Sequence, residues 1–144
     1  MSVHSVLLVE DDIAFARFLI GSFRDVDPKI DVFHVNNGYA ALSVINSGYR
    51  PDLILCEDHM PRMSCGELMS NVRTSPLYQS VPFVMLTSSF TDDLPPVPGR
   101  MPIDMKVPRP SNYREALALV SQVLAPPPQE DHNAKEEQTV APAW

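Results

Sequence analysis

Short, unbroken apolar runs that end in carboxylates constrain this chain more than any other feature. The run Leu53 to Cys56 follows Pro51-Asp52 and stops abruptly at Glu57 and Asp58, before a Met60-Pro61 turn. A run that short and that uniformly apolar reads as a strand buried on both faces, the kind found inside parallel sheets. Val6 to Val9 repeats the pattern and ends in Glu10, Asp11 and Asp12. Open α/β sheets bind their ligands outside the carboxyl ends of the strands. Acids at two such ends therefore mark a candidate site.

Helical periodicity fills the gaps between the runs. Phe15, Phe18, Leu19 and Phe23 recur at helical spacing from about Ile13, and Asp27-Pro28 closes that segment. Val32 to Val35 is the next short strand, with Asn36-Asn37-Gly38 as a turn or helix entry. Ala41, Leu42 and Ile45 mark a helix that Gly48 is placed to terminate. Ser64-Cys65-Gly66-Glu67 has the spacing of a capping box and opens a helix burying Leu68 and Val72. Pro76 and Pro82 bracket a loop before a fourth strand, Phe83 to Leu86, which ends in Thr87. A weaker fifth strand, Met105 to Val107, leads into Pro108-Arg109-Pro110. A last helix begins near Asn112, with Glu115 as capping partner and Tyr113, Leu117, Val120 and Leu124 as its inner face. Strand and helix alternate nearly five times, which implies βαβ units and a parallel sheet covered on both faces.

Two segments depart from that alternation. A helix is due between Ser88 and Pro102, yet Pro95, Pro96 and Pro98 remove backbone donors and forbid a regular one. Residues 126–144 are Pro-rich, then charged, with little to bury, and read as a disordered tail behind a domain spanning 1–125. Trp144 is a solvated end or a docking anchor.

The length of 144 residues suits one domain with a real core. A net charge of −7 argues against nucleic acid as a direct partner, since phosphate binding needs clustered Lys and Arg. No apolar stretch is long enough to span a bilayer, and the N-terminus lacks a signal-peptide pattern, so no membrane partner and a cytoplasmic location are expected. Cys56 and Cys65 lack metal-ligand spacing and read as free core thiols in a reducing compartment. The methionines read as core filling, and His59 as an ordinary loop histidine.

If the first and third strands are neighbours, Glu10, Asp11 and Glu57 form an oxygen-only pocket of the kind Mg²⁺ prefers. Three acids that close repel one another unless a cation neutralises them. The other reading is that they are solvated loop acids. Spacing alone leaves both open.

Val-Leu-Leu-Val-Glu-Asp-Asp, Asn-Gly-Tyr-Ala-Ala-Leu, Pro-Asp-Leu-Ile-Leu, Met-Pro, Leu-Thr-Ser and a basic residue before Pro110 occur in that order. From about Ser5 to Leu124 the chain resembles the receiver domain of bacterial response regulators. The resemblance implies a doubly wound, flavodoxin-like parallel sheet of five strands in the order 2-1-3-4-5, here with a degenerate fourth helix. It also implies phosphorelay signalling with a histidine kinase as partner: an Asp ending the third strand accepts a phosphoryl group, and two acids after the first strand hold Mg²⁺. A Thr or Ser after the fourth strand contacts the phosphoryl oxygens, and a Lys before a proline neutralises charge. Glu10 and Asp11 match the metal acids and Thr87 matches the hydroxyl.

Other positions depart from the family pattern. The acceptor position is Glu57, not Asp, and the Lys position is Arg109. Asp58 lies one place late and, by strand alternation, should point out of the pocket. Lys106 stands at a switch position that is often aromatic in the family. The Gly of the turn after Met-Pro is displaced, with Cys65 where it is expected. Glu carries its carboxylate about 1.5 Å further out than Asp, and misplacement on that scale costs about 100-fold in a positioned reaction. Arg109 is planar and bidentate, so it can clamp Glu57 in an ion pair.

The expectation is a degenerate receiver in which Glu57 and Arg109 fix one state, Mg²⁺ binds weakly at best, and output passes to a downstream protein. The alternative is a working phospho-receiver that accepts phosphoryl on Glu57 or Asp58. A metal-dependent hydrolase on this fold lacks a nucleophile motif, so no enzyme activity is expected.

Overall fold

The computed structural model describes residues 3–88 and 105–124. The broken-helix segment and the tail expected at 126–144 lie outside those residues. Five parallel strands, β1 (Ser5–Val9), β2 (Asp31–Val35), β3 (Leu53–Glu57), β4 (Phe83–Thr87) and β5 (Met105–Pro108), form one sheet in the order β2-β1-β3-β4-β5. That is the order expected. The register sets Val9 beside Cys56, Glu57 beside Leu86 and Thr87 beside Pro108, so the strands deliver their terminal side chains to one edge.

The apolar runs are buried as read. Every residue of β3 and β4 is buried, as are the last four of β1, whereas β2 is an edge strand that leaves Phe33 exposed. Alternation sorts them to two faces. Leu7, Val9, Ile54, Cys56, Phe83 and Met85 face α2 (Gly38–Asn46) and α3 (Cys65–Arg73). Val6, Leu8, Leu53, Leu55, Val84 and Leu86 face α1 (Ile13–Val26) and α4 (Tyr113–Leu124). Each fully buried aliphatic side chain contributes roughly 1.5–3 kcal/mol from area alone, which makes the two cores the main support of the sheet.

The helix boundaries follow local chemistry. Asp12, Asn37 and Ser64 cap α1, α2 and α3 with side-chain acceptors, and Ser64 with Glu67 forms the expected capping box. Gly48 takes a φ of +102° just after α2, where a residue with a Cβ would be strained. Cys56 and Cys65 are free and buried, and Met60, Met63, Met69 and Met85 are buried with them.

Two expectations change. Tyr113 does not belong to the inner face of α4: it is exposed, and its hydroxyl donates to Asp25 Oδ2 at 2.5 Å. The buried residues of α4 are Ala116, Leu119, Val120 and Val123, with Leu117 and Leu124 half-buried, and Tyr113, the first residue of the helix, lies at the open end of that face. The segment between Pro76 and Pro82 contains a short 3-10 turn, Pro76–Tyr78, that buries Tyr78. The Tyr78 hydroxyl lies 2.9 Å from the Ile45 carbonyl and 3.0 Å from that of Tyr49.

Candidate functional site

At the carboxyl edge of the sheet, Glu10 and Glu57 follow alternation onto the α1/α4 side. Both are buried, with Glu10 fully so. Arg109, the first residue beyond β5, reaches between them. Its backbone N–H donates to the Thr87 carbonyl (2.9 Å), which extends the ladder and aims the side chain inward. Its Nη1 lies 2.5 Å from Glu57 Oε2 and 3.3 Å from Glu10 Oε1, and its Nη2 lies 3.4 Å from Asp12 Oδ2. The Phe15 ring, one turn into α1, lies under the guanidinium with its centroid 3.7 Å from Cζ. One cation is thus held by three acids and an aromatic face.

The electrostatics follow from that crowding. Burial pushes the Glu10 carboxyl up to about 8. The Asp12 backbone N–H, donating to Glu10 Oε2 at 3.0 Å, works against the rise, and the charge of Glu57 adds to it. Arg109 pulls the other way. Two buried acids with one guanidinium are stable together when one of them holds a proton.

Asp58 and Thr87 stand on the other side of the same edge. Asp58 follows the last residue of β3, so its carboxylate leaves Glu57 behind, as alternation requires. It does not leave the site: the Thr87 hydroxyl donates to Asp58 Oδ2 at 3.2 Å. The Asp58 N–H continues the ladder to the Leu86 carbonyl at 2.8 Å, which brings the two side chains level. His59 Nε2 lies 3.6 Å from Asp58 Oδ2 and is largely exposed.

The expected metal pocket does not assemble as three acids around an ion. Asp11 is exposed and lines an open cleft with Asn36, Asn37, Pro61 and Arg62. Among the described residues no group of three or more His, Cys, Asp or Glu side chains is placed to hold a metal ion. The reason is Arg109, whose guanidinium occupies the space between Glu10 and Glu57. As arranged, these residues do not fit Mg²⁺. Lys106 lies on β5 in register with Met85, one step along the chain from the buried Val107.

Sequence reasoning missed several members of the site. Asp12 was read only as one of the carboxylates ending the first strand and given no role of its own, yet it both caps α1 and touches Arg109. Phe15 was assigned only to the core stripe. Arg62 takes a φ of 77° in the turn after Met60-Pro61, a conformation that costs a non-glycine residue about 1 kcal/mol. The displaced glycine of that turn was the available signal for it.

A parallel sheet ordered 2-1-3-4-5, with acids at the ends of its first and third strands and a cation arriving from its fifth, is a receiver module of two-component signalling. The response regulator receiver domain matches residues 6–95, and the chain belongs to that family. A transcriptional regulatory protein CpxR homolog of Haemophilus influenzae is 32% identical over 120 residues, covering 83% of this chain and 49% of that one. The chain therefore spans about half the length of that relative. The phosphorylated cyanobacterial phytochrome response regulator RcpA shares the fold with a TM-score of 0.70 at 19% identity, covering 85% of this chain and 91% of its own. The Mn(2+)-bound form of response regulator Rcp1 does so with a TM-score of 0.67 at 20% identity, covering 87% and 97%. No helix among the described residues is long and apolar enough to cross a membrane.

Proposed function

We propose that this receiver is degenerate at its family acceptor position and signals through protein contacts from one preferred state. The observation that carries this reading is the contact of Arg109 Nη1 with Glu57 Oε2 at 2.5 Å, inside a cluster completed by Glu10. A phosphoryl group on Glu57 would have to displace that guanidinium and add charge beside a second buried acid. Mg²⁺ faces the same obstacle, so its binding is weak and competes with Arg109. The partners are then a histidine kinase or another signalling protein upstream and a protein target downstream. The role is signalling rather than enzymatic, with an acidic surface unsuited to nucleic acid.

The test is a double substitution. Glu57→Asp with Arg109→Lys restores a shorter acid and a swinging point charge. That variant is expected to take up phosphoryl from acetyl phosphate with Mg²⁺, counted by intact mass as a base-labile adduct and located on residue 57 by borohydride reduction and tandem mass spectrometry. The wild-type chain is expected to show none on Glu57. Equal uptake on Glu57 by both chains would overturn the reading.

A further inference from the structure

β2 closes the sheet on one side: β1 pairs with it, and among the described residues no strand lies beyond it. The Asp31 N–H donates to the His4 carbonyl at 2.9 Å, and the Val35 carbonyl accepts from the Glu10 N–H at 3.0 Å. Alternate residues of a strand serve one neighbour, so Asp31, Phe33 and Val35 turn their backbone groups to β1. Val32 and His34 turn theirs to the open edge. Edge strands that stay alone are blunted by Lys, Pro or a bulge. Val32-Phe33-His34 contains none of these, and the pairing with β1 runs unbroken from Ser5 beside Asp31 to Val9 beside Val35. Apolar surface flanks the edge on both faces. On the α2 side Phe33 is 42% exposed, with the Tyr49 ring 5.2 Å from its own. On the α1 side Ile13, 56% exposed, lines an open groove with Arg17, Ile20 and His34.

We propose that β2 is a dimerisation edge whose partner is β2 of a second copy of this chain, running antiparallel about a two-fold axis at Phe33. The parity of the backbone decides the register. The outward-facing residues pair crosswise, Val32 of one copy with His34 of the other, and each such pair exchanges both of its N–H···O bonds. Two pairs give four bonds and leave Phe33 opposite Phe33 in the non-hydrogen-bonded position, where Cα atoms approach to about 4.5 Å and side chains meet. The exposed rings then cover each other as a cross-strand aromatic pair. Asp31 falls opposite Val35, so the Asp31 carboxylates of the two copies lie at opposite ends of the pairing and no like charges face each other. On the other face, Val32 of one copy meets His34 of the other at the rim of the groove that holds Ile13 and Ile20. The contact is isologous: one patch meets itself, and association closes at the dimer. An unrelated strand would match the backbone alone, whereas a second copy also brings a Phe to Phe33 by symmetry.

Sedimentation equilibrium of the full-length chain, in salt that screens its net charge of −7, reads the association. A reversible equilibrium between monomer and dimer is expected. Phe33→Lys removes the aromatic pair and sets two ammonium groups face to face, and is expected to raise the dissociation constant about 10-fold or more. The register is read by disulfide trapping with oxidised glutathione, since Cys56 and Cys65 are buried. Phe33→Cys is expected to give a crosslinked dimer, because the Cα separation across the axis is within disulfide range. Val32→Cys is not, because in this register the two substituted residues are diagonal neighbours about 7–8 Å apart. The trapping pair keeps the result readable if Phe33→Lys fails to fold. A chain that stays monomeric up to about 1 mM overturns the proposal. So does a dimer that Phe33→Lys leaves unchanged, one in which Phe33→Cys forms no crosslink, or one that Val32→Cys crosslinks as fast as Phe33→Cys.

Discussion

The two sides of the sheet's carboxyl edge solve the same problem in opposite ways. On the α1/α4 side, Glu10 and Glu57 are buried and the guanidinium of Arg109 neutralises them from inside. On the α2/α3 side, Asp58 keeps its carboxylate in partial contact with water and takes one neutral hydrogen bond from Thr87. Charge buried with a partner is rigid and costly to disturb. Charge left at the surface is cheap to keep and free to react. Period-two alternation at the end of a single strand produces both: Glu57 and Asp58 are adjacent in sequence and land in different environments.

The largest effect should come from removing the cation of the closed side. Arg109→Ala leaves two buried acids without their shared partner and is expected to lose about 3 kcal/mol of stability, measured by urea denaturation. Adding Glu57→Gln to that variant should recover a large part of the loss, because one uncompensated charge is then gone. An Arg109→Ala variant within about 0.5 kcal/mol of wild type, the range of ordinary surface changes, would show that the closed side is not held by charge.

A smaller effect should follow pH. Burial raises the Glu10 carboxyl from its ordinary 4.5 to about 8 in the folded chain. Between those values the folded protein holds a proton that the unfolded chain has released, so unfolding releases it and rising pH favours unfolding. The contribution of Glu10 is fully present below 4.5 and is lost as pH rises through about 8. The melting temperature is therefore expected to fall from about pH 5 to about pH 8 and to level off above that, and Glu10→Gln should flatten that slope. An unchanged slope in Glu10→Gln would place the proton elsewhere and weaken the contrast between the two sides.

Much of this was legible in the sequence because it rests on local rules. Val6 to Val9, Leu53 to Cys56 and Phe83 to Leu86 are uniformly apolar, and a strand buried on both faces has no other simple pattern. The capping box at Ser64 and the terminator at Gly48 are short-range signals with one structural solution each. The compensating change of Glu57 and Arg109 could be read as a pair because both fall at strand ends that the order 2-1-3-4-5 brings to one edge. What escaped depends on distances that no local rule supplies. The stacking of Phe15 under Arg109 joins residues far apart in the chain. The Asp12 contact with Arg109 is the second use of a residue already spent as a cap. Alternation in β3 was read as turning Asp58 out of the pocket, and its carboxylate instead meets the Thr87 hydroxyl at the same edge. That Thr87 waits there could not be read from alternation in β3 alone, since it depends on the register of β4.

The smallest effect is expected on the open side, and it tests the comparison most directly. Thr87→Val keeps the shape of a buried side chain, 1% exposed, and deletes the hydroxyl that donates to Asp58. A neutral hydrogen bond contributes about 1 kcal/mol net, and the half-exposed Asp58 can turn to water for the bond it loses. Urea denaturation should therefore show a loss of about 1 kcal/mol or less, well below that of Arg109→Ala. Combining Thr87→Val with Asp58→Asn should cost little more than either change alone, since the two side chains share one interaction and a double-mutant cycle removes it only once. The cycle separates two accounts of the edge. If Thr87→Val costs as much as Arg109→Ala, the Thr87–Asp58 pair is a structural clamp equal to the acid cluster. Asp58 is then held as firmly as Glu57, and the division into a closed and an open side fails.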